Sequence, residues 1–218
     1  MTLRRTWRRC VLLLVWTLLS PATGFAQEPT PPSPTASDGQ DSRVKRTALF
    51  LSGAGVAFLA HEAGHLVFDI AFDADPELKA VDFHGIPFFA LTHEEELSPR
   101  REAIVASAGF WVQHATNEWI LTRRPDLRRQ RAPFTKGVLA FNVLTSVAYA
   151  GAAFGRTGPF ERDTRAIADA TDVDERWIGA IVLAPALLDG WRYFHPESKV
   201  AVWLSRGVKV GMVALVLK

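Results

Sequence analysis

The sequence predicts an all-α polytopic membrane protein with four to five transmembrane helices and a small β-hairpin-like insertion after the first core helix. Three observations carry this. The chain has 218 residues, 48% of them hydrophobic, with seven Trp and fourteen Phe, enough for one helical membrane domain. Several apolar runs are of membrane-crossing length at a rise of about 1.5 Å per residue. One stretch, Asp73 to Pro99, breaks that pattern with short strand-like runs.

The N-terminus reads as a signal peptide, residues 1–26. Arg4, Arg5, Arg8 and Arg9 precede a short apolar core, Cys10 to Leu19, and small residues lead to Ala26. Gln27 to Ser42 is rich in Pro, Thr, Ser and Asp, so residues 27–46 are expected to be a disordered linker outside the cytoplasm. Residues 47–218 then form the membrane domain, with the N-terminus translocated across a bacterial inner membrane. The formal charge is +2, and about −2 without the four leading arginines, which excludes a basic nucleic-acid-binding surface. Cys10 is the only cysteine, so there is no disulfide framework and no cysteine metal site.

The first core helix is expected over Thr47 to Phe72. Its small residues Ser52, Gly53, Ala54 and Gly55 allow another helix close approach. Ala80 to His84 and Pro87 to Leu91, separated by Gly85, suggest a hairpin. Ser98 suits a helix cap, Pro99 a first turn and Glu102 the helix dipole, so a second helix runs over about Arg101 to Leu121. An arginine-rich loop, Arg123 to Arg131, is read as solvated and headgroup-facing. A third run is Val138 to Phe154. Gly155 to Arg176 is a polar connection with a short helix. The fourth run, Trp177 to Phe194, is expected to break around Pro185 and Asp189. The last, Val200 to Leu217, either spans or lies at the interface.

His61-Glu62-Ala63-Gly64-His65 lies inside the first core helix. Positions i and i+4 share a helix face, so both imidazoles can reach one metal ion, with Glu62 close enough to act as general base. A catalytic zinc wants three protein ligands. Leu66-Val67-Phe68-Asp69 follows His65, which excludes the metzincin pattern. Glu94 to Glu96 sit in an apparent loop. Asp69 is on the His face, but one straight helix cannot wrap three ligands round one ion, so it reads as a supporting residue. Asp189 is the expected third ligand, because a lone carboxylate at membrane depth needs a partner. The plainer alternative is a helix-end cap beside Trp191, Arg192 and Tyr193. His84 and His93 read as ordinary loop histidines. His114, Asn117 and Glu118 share a helix face and suit inter-helix hydrogen bonds.

The chain resembles the site-2 protease family of intramembrane zinc metalloproteases. The resemblance rests on H-E-A-G-H in the first core helix, Ser98-Pro99 leading to Ala108-Gly109, and Leu188-Asp189-Gly190 in a late helix. It covers roughly Ala48 to Tyr193. The family's pattern is altered at Phe110, Gln113 and Trp191. The resemblance implies zinc held by His61, His65 and Asp189, with Glu62 activating water to hydrolyse a peptide bond in a membrane-protein substrate's transmembrane segment. The alternative is a catalytically inactive homologue that acts as a membrane interaction protein.

Overall fold

The computed structural model describes residues 36–83 and 86–217, with the side chains of 36–41, 81–83 and 86–90 excepted. The signal peptide and residues 27–35 of the linker lie outside the described residues. Residues Lys45–Lys218 form one unit, and Met1–Val44 a second, of which only the start of the first helix is described.

The described chain is mostly helical. In order come α1 (Ala36–Phe72), β1 (Pro76–Phe83), β2 (Ile86–His93), α2 (Pro99–Arg123), a 3₁₀ turn (Leu127–Arg129), α3 (Pro133–Gly155), α4 (Asp163–Thr171), α5 (Glu175–Phe194) and α6 (Lys199–Leu217). Among the described residues, three helical stretches are long and apolar enough to cross a membrane: Ser42–Phe72, Pro133–Gly155 and Lys199–Leu217. This is fewer than the four to five expected. The acids and bases of α2 and α5 (Arg100, Arg101, Glu102, Glu118 and Arg123; Glu175, Arg176, Asp189 and Arg192) lower their hydropathy below that of a simple span.

Three other expectations are corrected. The helix expected from Thr47 begins at Ala36, so residues 36–46 of the expected linker are helical. Ser42, Lys45 and Arg46 are exposed on this helix, and no proline follows Pro34 until the helix has ended. The hairpin is longer than the two runs suggested: β1 and β2 pair antiparallel from Pro76 opposite His93 to Phe83 opposite Ile86. α5 runs unbroken through Pro185. A proline removes one hydrogen bond there, but the helix is held by packing on α3, α4 and α6 along its length.

Ser98 has the extended backbone of a cap residue, but its side chain makes no capping bond; its carbonyl accepts from the Glu102 amide at 2.9 Å. Pro99 opens α2 as expected. α2 is the central helix. Every residue from Ala103 to Phe110 is buried, because neighbours close round it on all sides. Its contacts with α4, together with Ile178, Val182 and Met212, form one apolar core around Phe110. A second core gathers Ala57, Ile120, Leu121, Leu127, Val138 and Leu139.

Where α1 crosses α3 the two backbones touch. A Cβ on Gly53 would overlap the Phe134 carbonyl, and one on Gly137 would overlap the Phe50 carbonyl. The small-residue stretch 52–55 therefore does what it was expected to do, with Gly137 as its counterpart.

Candidate metal centre

α1 places His61 and His65 one turn apart on a buried face, with ring centroids 4.9 Å apart. The His65 Nδ1–H donates to the Val105 carbonyl of α2 at 2.8 Å. A carbonyl only accepts, so Nδ1 carries the proton, and in the neutral ring Nε2 presents a lone pair. That Nε2 lies 3.2 Å from His61 Nε2. Gly109 of α2 lies under the His61 ring, where a Cβ would collide with Cε1. Phe110 meets the same ring edge-on, with centroids 5.6 Å apart.

The third member is Asp163, the first residue of α4. Its Oδ2 is 3.1 Å from His61 Nε2 and 3.5 Å from His65 Nε2. Among the described residues, these three form the group of His and acidic side chains able to share a metal ion. Both neighbours of Asp163 are bolted to Glu175 at the start of α5: Arg162 donates to it twice at 2.6 Å, and Thr164 once at 2.9 Å. A third Arg162 bond, 2.9 Å to the Pro159 carbonyl, fixes the preceding turn. Burial alone would push the Asp163 carboxyl up, but His65 and His61 hold it well below the ordinary aspartate value.

The donor set fits zinc. Tetrahedral bonds of about 2.0–2.1 Å place two ligand atoms about 3.3 Å apart. The three observed separations of 3.1, 3.2 and 3.5 Å bracket that value. Atoms this close need positive charge among them: either a proton on an imidazole, which is what lowers the Asp163 carboxyl, or a metal ion, which would engage all three atoms at once.

The structure does not bring Asp189 to this group. Asp189 is fully buried, and its carboxylate accepts from Lys209 Nζ at 2.6 Å, Ser205 Oγ at 2.9 Å and Asn117 Nδ2 at 3.0 Å. The premise that a deep carboxylate needs a partner holds, but α6 supplies that partner as an ammonium group. Asp69 is structural: buried, with Oδ1 3.2 Å from His93 Nδ1. His93 is no ordinary loop histidine, because its Nε2 also meets Glu102 at 2.8 Å, clamping β2 to α1 and α2. The Asp69 and Glu102 hydrogen bonds push His93 up to about 10. Glu94, Glu95 and Glu96 are exposed. His84 lies outside the described residues.

Two cavities adjoin His65 and Asp163. One, of about 260 Å³, lies between α1 and α3 and is lined by Glu62, His65, Asp163, Phe58 and Tyr149. The other, of about 450 Å³, lies on the hairpin side and includes His65, Asp163, Leu91 and Thr92. Glu62 thus shares a cavity wall with two of the three candidate ligands.

Sequence reasoning missed Asp163 because it sits in a polar connection among Glu161, Asp169, Asp172 and Asp174. What sets it apart is position: it opens a short amphipathic helix whose Ile167 and Ala168 are buried. An acid at the first turn suits the helix dipole, and the buried stripe turns it inward. No family model, curated protein or solved structure matches this chain.

Proposed function

We infer that the protein is a polytopic membrane metallopeptidase that hydrolyses a peptide bond of a membrane-protein substrate, with zinc held by His61, His65 and Asp163. The reading rests on one observation: the convergence of those three ligand atoms beside a cavity that Glu62 also lines. Zinc, when bound, would supply Lewis acidity and lower the pKa of water to about 7. Glu62 would accept the proton from the attacking water and return it to the leaving amine. The Val105 carbonyl keeps His65 in the tautomer that ligates through Nε2. Gly109 and Phe110 hold the His61 ring.

The membrane setting is supported by the three apolar helices and by Leu51, Leu59, Val67, Leu144 and Val147, which are exposed on α1 and α3. Phe58, Ala148 and Ala152 line the Glu62 cavity between these helices, so a substrate would meet an apolar wall. The hairpin has two strands, leaving β2 with an unpaired edge at the second cavity, which suits an extended peptide. The likeness to the site-2 protease pattern narrows to the H-E-x-x-H on an apolar helix, because Asp189 serves the α6 contact.

Zinc content and cleavage of a reconstituted panel of membrane helices test the reading. Wild type is expected to bind about one zinc and to cleave, and Glu62→Gln to keep the metal and lose cleavage by about 10²-fold or more. A Glu62→Gln protein that cleaves normally, or a wild type that takes up no zinc, refutes it.

A further inference from the structure

Among the described residues, the cavity beside Glu62 has three side chains on its wall that can donate a hydrogen bond: His65, Tyr149 and Arg162. Two of them are committed elsewhere. The Nδ1–H of His65 goes to the Val105 carbonyl. Arg162 is held by Glu175 and by the Pro159 carbonyl. Tyr149 remains. It stands on α3 in the run Ala148 to Ala152, where its neighbours are alanine and glycine. Phe110 meets its ring edge-on with centroids 5.1 Å apart, and His61 lies at 6.2 Å with the planes tilted by 32°. These contacts fix the ring and leave the hydroxyl as its one polar atom. That hydroxyl neighbours the Asp163 carboxylate, and Glu62 is the other acid that faces it. The phenol thus ends between the candidate general base and a candidate ligand, in a cavity whose wall all three share.

A phenol in an apolar helix needs an acceptor, and Asp163 is the acceptor at hand. A cation shared by Asp163 weakens that carboxylate as an acceptor and leaves the hydroxyl for a ligand in the cavity. We propose that Tyr149 is a further catalytic residue: its hydroxyl donates to the carbonyl oxygen of the scissile peptide bond as that oxygen becomes negative. This rests on the metallopeptidase reading above. The oxygen of water bonds to the carbonyl carbon while Glu62 takes one of its protons. The carbonyl π pair moves onto the carbonyl oxygen, which accepts from Tyr149. When that pair returns, the C–N bond breaks. The proton on Glu62 goes to the leaving nitrogen, and the products are a carboxylic acid and an amine. Tyr149 keeps its own proton throughout. Such a donor bonds more strongly as charge grows on the oxygen, so it acts on turnover more than on substrate binding.

Tyr149→Phe tests the role, because it keeps the ring and its contacts with Phe110 and His61 and removes the hydroxyl alone. In the full chain reconstituted with saturating zinc, kcat on a cleaved membrane helix should fall by about 10²–10³-fold, with KM within about threefold. A phosphinic peptide of the same sequence places a P–O⁻ where the carbonyl oxygen becomes negative. It should bind Tyr149→Phe more weakly than wild type by a comparable factor, about 10²-fold or more. Zinc affinity against a competing chelator should stay within about threefold of wild type, less than the loss of a residue that merely supports a ligand. A zinc affinity lowered by about 10–100-fold beside a normal kcat at saturating zinc overturns the proposal, since Tyr149 then only steadies Asp163. Equal binding of the phosphinic peptide by the two proteins overturns it too, and in both cases a cleaving wild type leaves the metallopeptidase reading standing. A wild type that takes up no zinc or cleaves nothing overturns that reading and the Tyr149 role together.

Discussion

Replacing Asp163 and Asp189 separately with Asn distinguishes a metal ligand from a structural carboxylate. Both changes keep volume and remove charge, yet the structure assigns them opposite consequences. Asp163 Oδ2 stands 3.1 and 3.5 Å from the two imidazole nitrogens. Asp163→Asn removes one of the three proposed ligands and the only formal negative charge among them. Mutating residues that merely support a ligand weakens metal binding by about 10–100-fold, so loss of a ligand is expected to cost at least about 100-fold, roughly 2.7 kcal/mol. The fold should survive, because the α4 start is held by Arg162 and Thr164 on Glu175 rather than by Asp163. Asp189→Asn leaves the buried Lys209 ammonium without its 2.6 Å partner, while Glu118 remains at 3.1 Å. Breaking a buried pair from one side costs about 3–5 kcal/mol, and the remaining Glu118 contact points to the lower end. The assays are zinc affinity against a competing chelator and thermal unfolding of the detergent-extracted protein, both without added lipid. An Asp189→Asn protein that loses zinc at unchanged stability, beside an Asp163→Asn protein that keeps it, would refute this assignment.

Gly109→Ala places a methyl group against the His61 ring, so zinc affinity should fall by about 10-fold or more and stability by about 1–3 kcal/mol, read by the same two assays. His93 carries a pH prediction. Its folded value is raised, so its clamp on Asp69 and Glu102 contributes in full below the unfolded value near 6.5 and fades as pH rises through about 10. The melting-temperature gap between wild type and His93→Gln should therefore be widest at pH 6 and close above pH 10; a gap that grows with pH contradicts it. Gly137→Ala should separate α1 from α3 and destabilise by about 1–3 kcal/mol in thermal unfolding.

The helices were legible because apolar runs and their punctuation are local. Pro99 and Pro133 stand where α2 and α3 begin, and the polar connection does contain the short α4. The H-E-x-x-H pair was legible because a five-residue spacing on one helix fixes which side chains share a face, and both histidines do point inward. The third candidate ligand was not. Asp163 and Asp189 are both plausible from composition, and the choice depends on which helix end reaches which face after packing. Asp189 looked unpartnered only because Lys209 lies twenty residues later on a different helix, where its charge reads as a solvated or interfacial lysine. The continuity of α5 through Pro185 was illegible for a similar reason, since packing from three helices outweighs one lost hydrogen bond. The function of the His114, Asn117 and Glu118 face was half legible. Asn117 and Glu118 do make inter-helix bonds, to Asp189 and to the cations of α5 and α6, but His114 makes none.

The reciprocal glycine contact between α1 and α3 sets a phase as well as a distance. Gly53 and Gly137 each face the other helix's main chain, so α1 cannot turn about its own axis at that level. His61 follows Gly53 by eight residues, about 12 Å along the axis. Every residue inserted or removed between them would swing the imidazoles by about 100°, away from Val105 and Asp163. Seven residues would bring them back to within about 20°, displaced by nearly two turns. The interval from Gly53 to His61 is thus a fixed angular gauge, intolerant of length change although no residue between them is a proposed ligand. Shortening or lengthening the exposed loops, by contrast, leaves that angle untouched.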